Sequence, residues 1–391
     1  MDREEKTTLE NLKKMMNRLL IVLGFLLAAG CSANDSDSES RRYVKGYDEP
    51  VRGVWLTNVA SDALFSRQNI REAVRKSHEM GINTIFVVTW NKGMTTYRSD
   101  VMESFTGVEI DPALDSAQTG RDPLKQVIEE AHRYDMKVFA WFEFGFSSSY
   151  QAQGGKILEK KPGWALKNAR GELVTKNGFD WMNALDPEVQ NFMLSLIEEV
   201  VRNYDVDGIQ GDDRLPAMPS EGGYNRQTVE AYKEDHYGQA PPDYHKDFEW
   251  VHWRAGKLND FMKRLYRKVQ AVDSSCIVSM APSVYPWSKA EYLQDWPTWV
   301  NFDYVDMIVP QVYRKDTASY RQTLRSSYEY ILPEKRHLFY PGILLQTGDY
   351  KVGSDQLEYM MERNRQMGIR GEVFFFYEGL DNYKKQIDQY Y

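Results

Sequence analysis

The chain has 391 residues, 42% of them hydrophobic and 27% charged, with a formal net charge of −8. That length accommodates one α/β barrel of ~250 residues or more, and the acidic balance excludes nucleic acid as the main partner, because a polyanion needs a basic face. Two cysteines, Cys31 and Cys276, leave no disulfide framework and no cysteine-built metal site.

In chain order, residues 13–31 come first. A short basic region leads into an apolar run of about a dozen residues and then small residues up to Cys31, the layout of a secretory signal too short to span a bilayer. Leu27-Ala28-Ala29-Gly30-Cys31 is similar to a bacterial lipobox, with the leucine one place early. The resemblance implies cleavage before Cys31, lipid on its thiol and a membrane as partner. Met15 or Met16 is the expected start. Residues 32–50 open with a polar, acidic stretch that has nothing to bury and are expected to be a disordered tether.

From residue 51 to 391, β-rich runs alternate with amphipathic ones, the pattern of a parallel α/β fold. Strands are expected at 52–57, 83–88, 137–142, 206–210, 276–280, 305–309, 338–343 and 372–376. Helical periods fill the gaps, at Arg67–Met80, Asp122–Tyr134, Pro187–Asn203 and Val251–Val272 among others. Eight units favour a single closed (β/α)8 TIM barrel over an open sheet, which would want a glycine-rich phosphate turn after the first strand. The connections after strands 3 and 4, roughly 147–185 and 211–250, are long enough to be functional. Cys276 reads as a small buried hydrophobe.

A barrel places its working residues where strands end. Those positions hold Asn58, Trp90, Glu143, Asp212 with Asp213, Pro282, Gln311 with Tyr313, Gln346, and Tyr377 with Glu378. Carboxylates, amides and aromatics are the kit of glycoside hydrolysis: one acid protonates the leaving oxygen, and one carboxylate attacks or activates water. Aromatics make up 13% of the chain, including 10 Trp and 25 Tyr, and sugar rings stack on such faces. The paired acids of Gly211-Asp212-Asp213-Arg214 repel unless something offsets them, and Arg214 stands beside them. Glu143, flanked by Phe142 and Phe144, has the apolar setting that raises a carboxyl pKa. Asp212, Asp213 and Glu143 could instead hold Mg²⁺ or Ca²⁺. The six His show no zinc spacing, and no cofactor or metal is expected to take part.

Arg52-Gly53-Val54-Trp55, Ala140-Trp141-Phe142-Glu143, Asp207 to Asp213, Gln294-Asp295-Trp296 and Val309-Pro310-Gln311-Val312-Tyr313 resemble a glycosyl-hydrolase-like barrel family of bacterial lipoproteins. That family, long catalogued as a domain of unknown function, is distantly similar to the alpha-amylase superfamily. The resemblance implies a (β/α)8 hydrolase acting on an envelope or extracellular polysaccharide, with Asp212 at the nucleophile position. The superfamily's fifth-strand glutamate has no counterpart in Met280-Ala281-Pro282-Ser283, so the acid falls to Glu143. Gly211 stands where the family has an aromatic, and is expected to open the −1 pocket. Asp213 supports the pair, while Arg52, Trp90, Arg214, Gln311, Tyr313, Tyr377 and Glu378 are expected to line the sugar site. The protein is expected in the cell envelope, lipid-anchored in the outer membrane and facing the periplasm or the surface. Two rivals stand beside this reading: a glycan-binding lipoprotein without catalysis, and a metal-dependent deacetylase or lyase.

Overall fold

The computed structural model describes residues 43–391. The expected signal at 1–31, the lipidation of Cys31 and the tether as far as 42 lie outside the described residues. Residues 43–50 belong to the packed body, not to a tether: Val44 is buried, Lys45 Nζ donates to the carbonyl of Ser274 at 2.6 Å, and Tyr47 Oη pairs with Thr84 Oγ1 at 2.8 Å.

Eight parallel strands form the central sheet: β1 (Arg52–Leu56), β2 (Thr84–Val88), β3 (Lys137–Phe142), β4 (Gly208–Gly211), β5 (Ile277–Met280), β6 (Met307–Ile308), β7 (Gly342–Leu344) and β8 (Glu372–Phe375). Each pairs with its neighbour in the chain through β6, β7 pairs with β8, and β8 returns to β1. Isolated parallel bridges, Ile308 to Phe339 and Gln311 to Gly342, join β6 to β7 and close the ring. The fold is the expected (β/α)8 barrel. The seventh strand starts later than 338 because Pro333–Leu338 winds into a 3₁₀ helix and Pro341 has no N–H for a ladder.

Helices pack outside the strands, and several are entered through a side-chain cap that the sequence supplies. Ser66, Asp122 and Asp186 cap α1 (Arg67–Glu79), α2 (Pro123–Ala131) and α3 (Pro187–Asn203). Asp247 caps α4 (Phe248–Val272), accepting from the N–H groups of Glu249 and Trp250, which starts this helix three residues before the expected Val251.

Inside the barrel, residues two apart share a face, so the side chains stack in layers. Phe86 and Phe139 lie 4.9 Å apart in the lower layer. Gly53 and Gly208 make room for them: a Cβ on Gly53 would come within 2.8 Å of Phe86, and one on Gly208 would overlap Phe139. Above sits Trp55, its Nε1 donating to Gln210 Oε1 at 2.7 Å, and Gln210 donates on to Ser279 Oγ at 3.0 Å. Trp141 and Phe375 ring Trp55 at 6.2 and 5.9 Å. One more step along β3 and β4 brings Glu143 and Asp212 to the mouth.

The connections after β3 and β4 are long, as expected. The first carries a three-stranded sheet of Ser147–Tyr150, Phe179–Trp181 and Thr175–Lys176, in that order. The second carries the helix Arg226–Asp235. A third long connection, unforeseen, follows β2 and opens with a hairpin of Trp90–Asn91 and Met94–Thr95.

Candidate active site

Asp212 follows β4 directly and is 3% exposed. Its Oδ1 accepts from the N–H of Asp213 at 2.7 Å and from Gln311 Nε2, which reaches across from the end of β6. Its Oδ2 meets Arg214 Nη2 at 3.1 Å, and Gln294 Nε2 holds its carbonyl at 3.0 Å. Arg214 collects the other carboxylates: Nη1 lies 2.8 Å from Asp213 Oδ1, and Nη2 3.7 Å from Glu143 Oε1. Its Nε donates to the Glu143 carbonyl at 3.0 Å, and its plane lies over Phe179 at 4.4 Å. The guanidinium is therefore fixed in place by two loops. Gly145 locks those loops together, with φ +48 and a Cα against the Arg214 carbonyl, where any Cβ would overlap.

Three carboxylates around one guanidinium leave an excess of negative charge in a water-poor site. Burial pushes the Asp212 carboxyl well above its usual range, and the charge of Asp213 adds to this while Arg214 opposes it. Burial likewise pushes Glu143 up, against the pull of Arg214. Tyr313 stands with them, its hydroxyl raised by burial and then by the charge of Asp212. Its ring meets Trp55 edge-on at 6.4 Å and Phe375 at 5.2 Å. One Arg214 nitrogen touches both Asp212 and Glu143, so their nearest oxygens lie no further apart than the two contacts laid end to end. That bound admits both the ~5–5.5 Å of retaining pairs and the ~6.5 Å at which the inverting range begins. Among the described residues no group of three or more His, Cys, Asp or Glu is arranged to hold a metal; in this cluster Arg214 fills the space between the acids.

The structure thus brings together Asp212, Asp213, Glu143, Arg214, Gln311 and Tyr313. Four expected positions lie elsewhere. Arg52 begins β1, at the opposite end of the barrel, where it binds Glu49 at 3.0 Å and lies over Tyr391 at 5.2 Å. Trp90 is buried, donating from Nε1 to the Gly145 carbonyl at 3.0 Å with its ring against Phe192 of α3; it braces a loop and faces no substrate. Tyr377 and Glu378 start a 3₁₀ turn after β8 and line a cavity of about 510 Å³ with Asn58, Ser61 and Glu72. Glu378 accepts from Ser61 Oγ at 2.7 Å, and neither residue touches the Arg214 cluster. Gly211 does not open a pocket either. Its missing Cβ would overlap Met280 Sδ and the Leu215 carbonyl, so it permits strand packing.

Sequence reasoning passed over Asn91 and Tyr292. Asn91 Nδ2 donates to Glu143 Oε2, because the hairpin after β2 turns at Lys92 and Gly93, both at positive φ, and folds this amide over the mouth. The signal was Asn-Lys-Gly, a hairpin turn. Tyr292 lies beside Asp213; burial first, then that charge, push its hydroxyl up to about 12. Among the buried groups near the acids, Asn91 Oδ1, Trp141 Nε1 and Gln294 Oε1 have no hydrogen-bond partner among the described residues.

The profile of a family described as glycosyl hydrolase-like 10 matches residues 50–361. The glycosyl hydrolase DigH of Escherichia coli K12 is 24% identical over 348 residues, spanning 78% of this chain and 74% of that protein. The glycosyl hydrolase YngK of Bacillus subtilis is 22% identical over 295 residues, 68% of this chain and 54% of that one. Among solved structures, the PgaB glycoside hydrolase domain of Bordetella bronchiseptica superposes with a TM-score of 0.62 at 12% identity, over 87% of this chain and 98% of that domain. The alpha-L-fucosidase isoenzyme 2 of Paenibacillus thiaminolyticus gives 0.63 at 17%, over 87% and 49%. At such identity these two likenesses speak to the fold alone.

Proposed function

The chain belongs to the glycosyl hydrolase-like 10 family, and on that premise we propose that it hydrolyses O-glycosidic bonds of an envelope or extracellular polysaccharide. The observation that carries this reading is the Asp212–Arg214–Glu143 arrangement: a buried and a half-buried carboxyl, both pushed up by desolvation, on adjacent strand ends and within reach of one guanidinium nitrogen. Three donors favour the Asp212 anion, whereas Glu143 has one neutral amide donor and a long contact to Arg214. Hydrogen bonds to the charged form lower a pKa, and on that ground, against the stronger push of burial on Asp212, we place the proton of the pair on Glu143. Glu143 then protonates the leaving oxygen, and Asp212 meets the positive charge that develops at the anomeric carbon, as nucleophile or as base for water. Arg214 with Asp213 sets the charge balance, and Gln311 and Tyr313 bind hydroxyls. The unpaired Asn91 Oδ1 and Trp141 Nε1 are groups that a polar ligand would satisfy.

The lipobox-like ending at Cys31 motivates a further part of the proposal, that lipid on this thiol holds the enzyme in the cell envelope, in the outer membrane. Incorporation of labelled palmitate into the protein in cells, lost in Cys31→Ala, is the expected result.

The test of hydrolysis is reducing-end release by residues 43–391 from amylose, xylan, chitosan and peptide-free peptidoglycan strands, with and without a chelator. Release from one class, unchanged by chelator, is expected. Binding with no release would favour the non-catalytic glycan-binding protein, for which the missing fifth-strand glutamate speaks. Loss in chelator would favour the metal-dependent class.

A further inference from the structure

All ten tryptophans of the sequence lie in the described part, and nine of them are buried or half-buried. Trp287 is the exception at 48% exposed. It opens α5 (Trp287–Tyr292), the short helix after β5. Its ring lies 5.5 Å from that of Tyr292, the residue whose hydroxyl feels the charge of Asp213. Tyr292 itself is buried, and two residues on, Gln294 Nε2 holds the Asp212 carbonyl at 3.0 Å, so Trp287 stands on the helix that borders the carboxylate cluster.

The same rim carries two more exposed rings. Tyr244 is 64% exposed and Phe248 84%, and they stand two residues either side of Lys246. Lys246 Nζ pairs with Glu291, one helical turn beyond Trp287 on α5. The long connection after β4 is stitched to that helix by the N–H of Met218 donating to the Tyr292 carbonyl at 3.0 Å and that of Ser220 to the Glu291 carbonyl at 2.9 Å. Helices α4 and α5 pack together. Lys176 completes the edge, its Nζ 4.7 Å above the Tyr292 ring and within 3.0 Å of Glu221 and Glu291. Exposed rings set among lysine and glutamate side chains suit a pyranose, whose C–H face stacks on an aromatic while its hydroxyls need both donors and acceptors. A protein partner would want a more continuous apolar patch with fewer charges at its centre.

We propose that Trp287, Tyr244 and Phe248 form a shelf, on the elements that border the carboxylate site, that binds sugar units of a long glycan away from the scissile bond. The enzyme would then act within chains and prefer polymers to short glycosides. This rests on the reading of Asp212 and Glu143 as the cleaving pair, and the shelf can be tested apart from it.

The experiment uses Trp287→Ala, the double variant Tyr244→Ala/Phe248→Ala, and Trp287→Phe, which keeps a ring. The rings are exposed, so the variants should fold, and circular dichroism checks this. On the polysaccharide from the panel above that is cut fastest, Trp287→Ala should lose about tenfold in kcat/KM, mostly through KM, with Trp287→Phe close to wild type. On the nitrophenyl glycoside of the same sugar all variants should match wild type. Equal losses on both substrates, or no loss on the polymer, would overturn the shelf. A second arm needs no turnover: electrophoresis through gels cast with each of the four panel glycans, in the Asp212→Asn background. Retardation that Trp287→Ala abolishes supports the shelf even if hydrolysis fails. Retardation unchanged by the variants, or none in any gel, refutes it.

Discussion

Arg214 concentrates the electrostatics of the site. A guanidinium stays charged under all working conditions, and here it is shared by Asp212, Asp213 and Glu143. One cation cannot neutralise three acids, so the site holds protons more tightly than free carboxyls do. Asp213 is the adjustable part, because its charge raises Asp212 without either carboxyl needing to move. Replacing it in Asp213→Asn removes a like charge and lowers the Asp212 pKa. The acid limb of the pH–rate profile of kcat/KM should therefore move to lower pH, and an unmoved or upward-shifted limb would contradict this coupling. The pair Asp212-Asp213 with Arg214 was readable from Gly-Asp-Asp-Arg alone, since two adjacent acids at a strand end demand a nearby cation. Asn91 was not, because its contact to Glu143 depends on a hairpin that reverses the chain beyond β2.

At the scale of elements, loops rather than strands decide the site. Strand ends were legible from alternation, yet alternation says nothing once the chain leaves the barrel. Trp90 stands at a strand end and turns into the packing against α3, and Tyr377 and Glu378 wind into a 3₁₀ turn above a separate cavity. The long connection after β4 is held by a device that no pattern announces. Arg254 of α4 is fully buried without a carboxylate partner, donating to the carbonyls of Ser220 at 2.6 Å, of Gly222 and of His245, over the face of Trp250 at 4.3 Å. Burial pushes its guanidinium down to about 9. Arg254→Met leaves three carbonyls without a donor and should cost about 3 kcal/mol or more. Because the loop also supports α5 and Tyr292, KM should rise as well. A urea midpoint equal to wild type would show that the loop holds without it. Arg254→Lys should fall between, as an ammonium cannot match the planar fork.

The whole molecule divides its labour between the two ends of the barrel. Acids, amides and the exposed rings gather where the strands end, while the other end is given to cohesion. There Glu372 is fully buried, held by Arg365 through two contacts of 2.9 Å and by Asn364 at 2.9 Å. Arg52 caps the neighbouring strand against Glu49, the Gly81 carbonyl and Tyr391. The eightfold alternation made this architecture legible, but the family motif Arg-Gly-Val-Trp drew Arg52 into the sugar site although it starts its strand. Arg52→Ala should lower stability by about 1–2 kcal/mol and leave kcat/KM unchanged, which thermal unfolding and the polymer assay together decide. A fall in activity without loss of stability would return Arg52 to the site. Asp212 carries the proposed chemistry, and the rate of reducing-end release by Asp212→Asn tests that role most directly. The side chain is nearly isosteric, and removing a carboxylate whose burial disfavours its charge should not weaken the fold. Its folded pKa is raised, so the stability cost it imposes is absent at acid pH and grows as pH rises. The variant should melt no lower than wild type at neutral pH and release sugar at least about a thousandfold more slowly. Release at the wild-type rate by this folded variant would contradict the assignment.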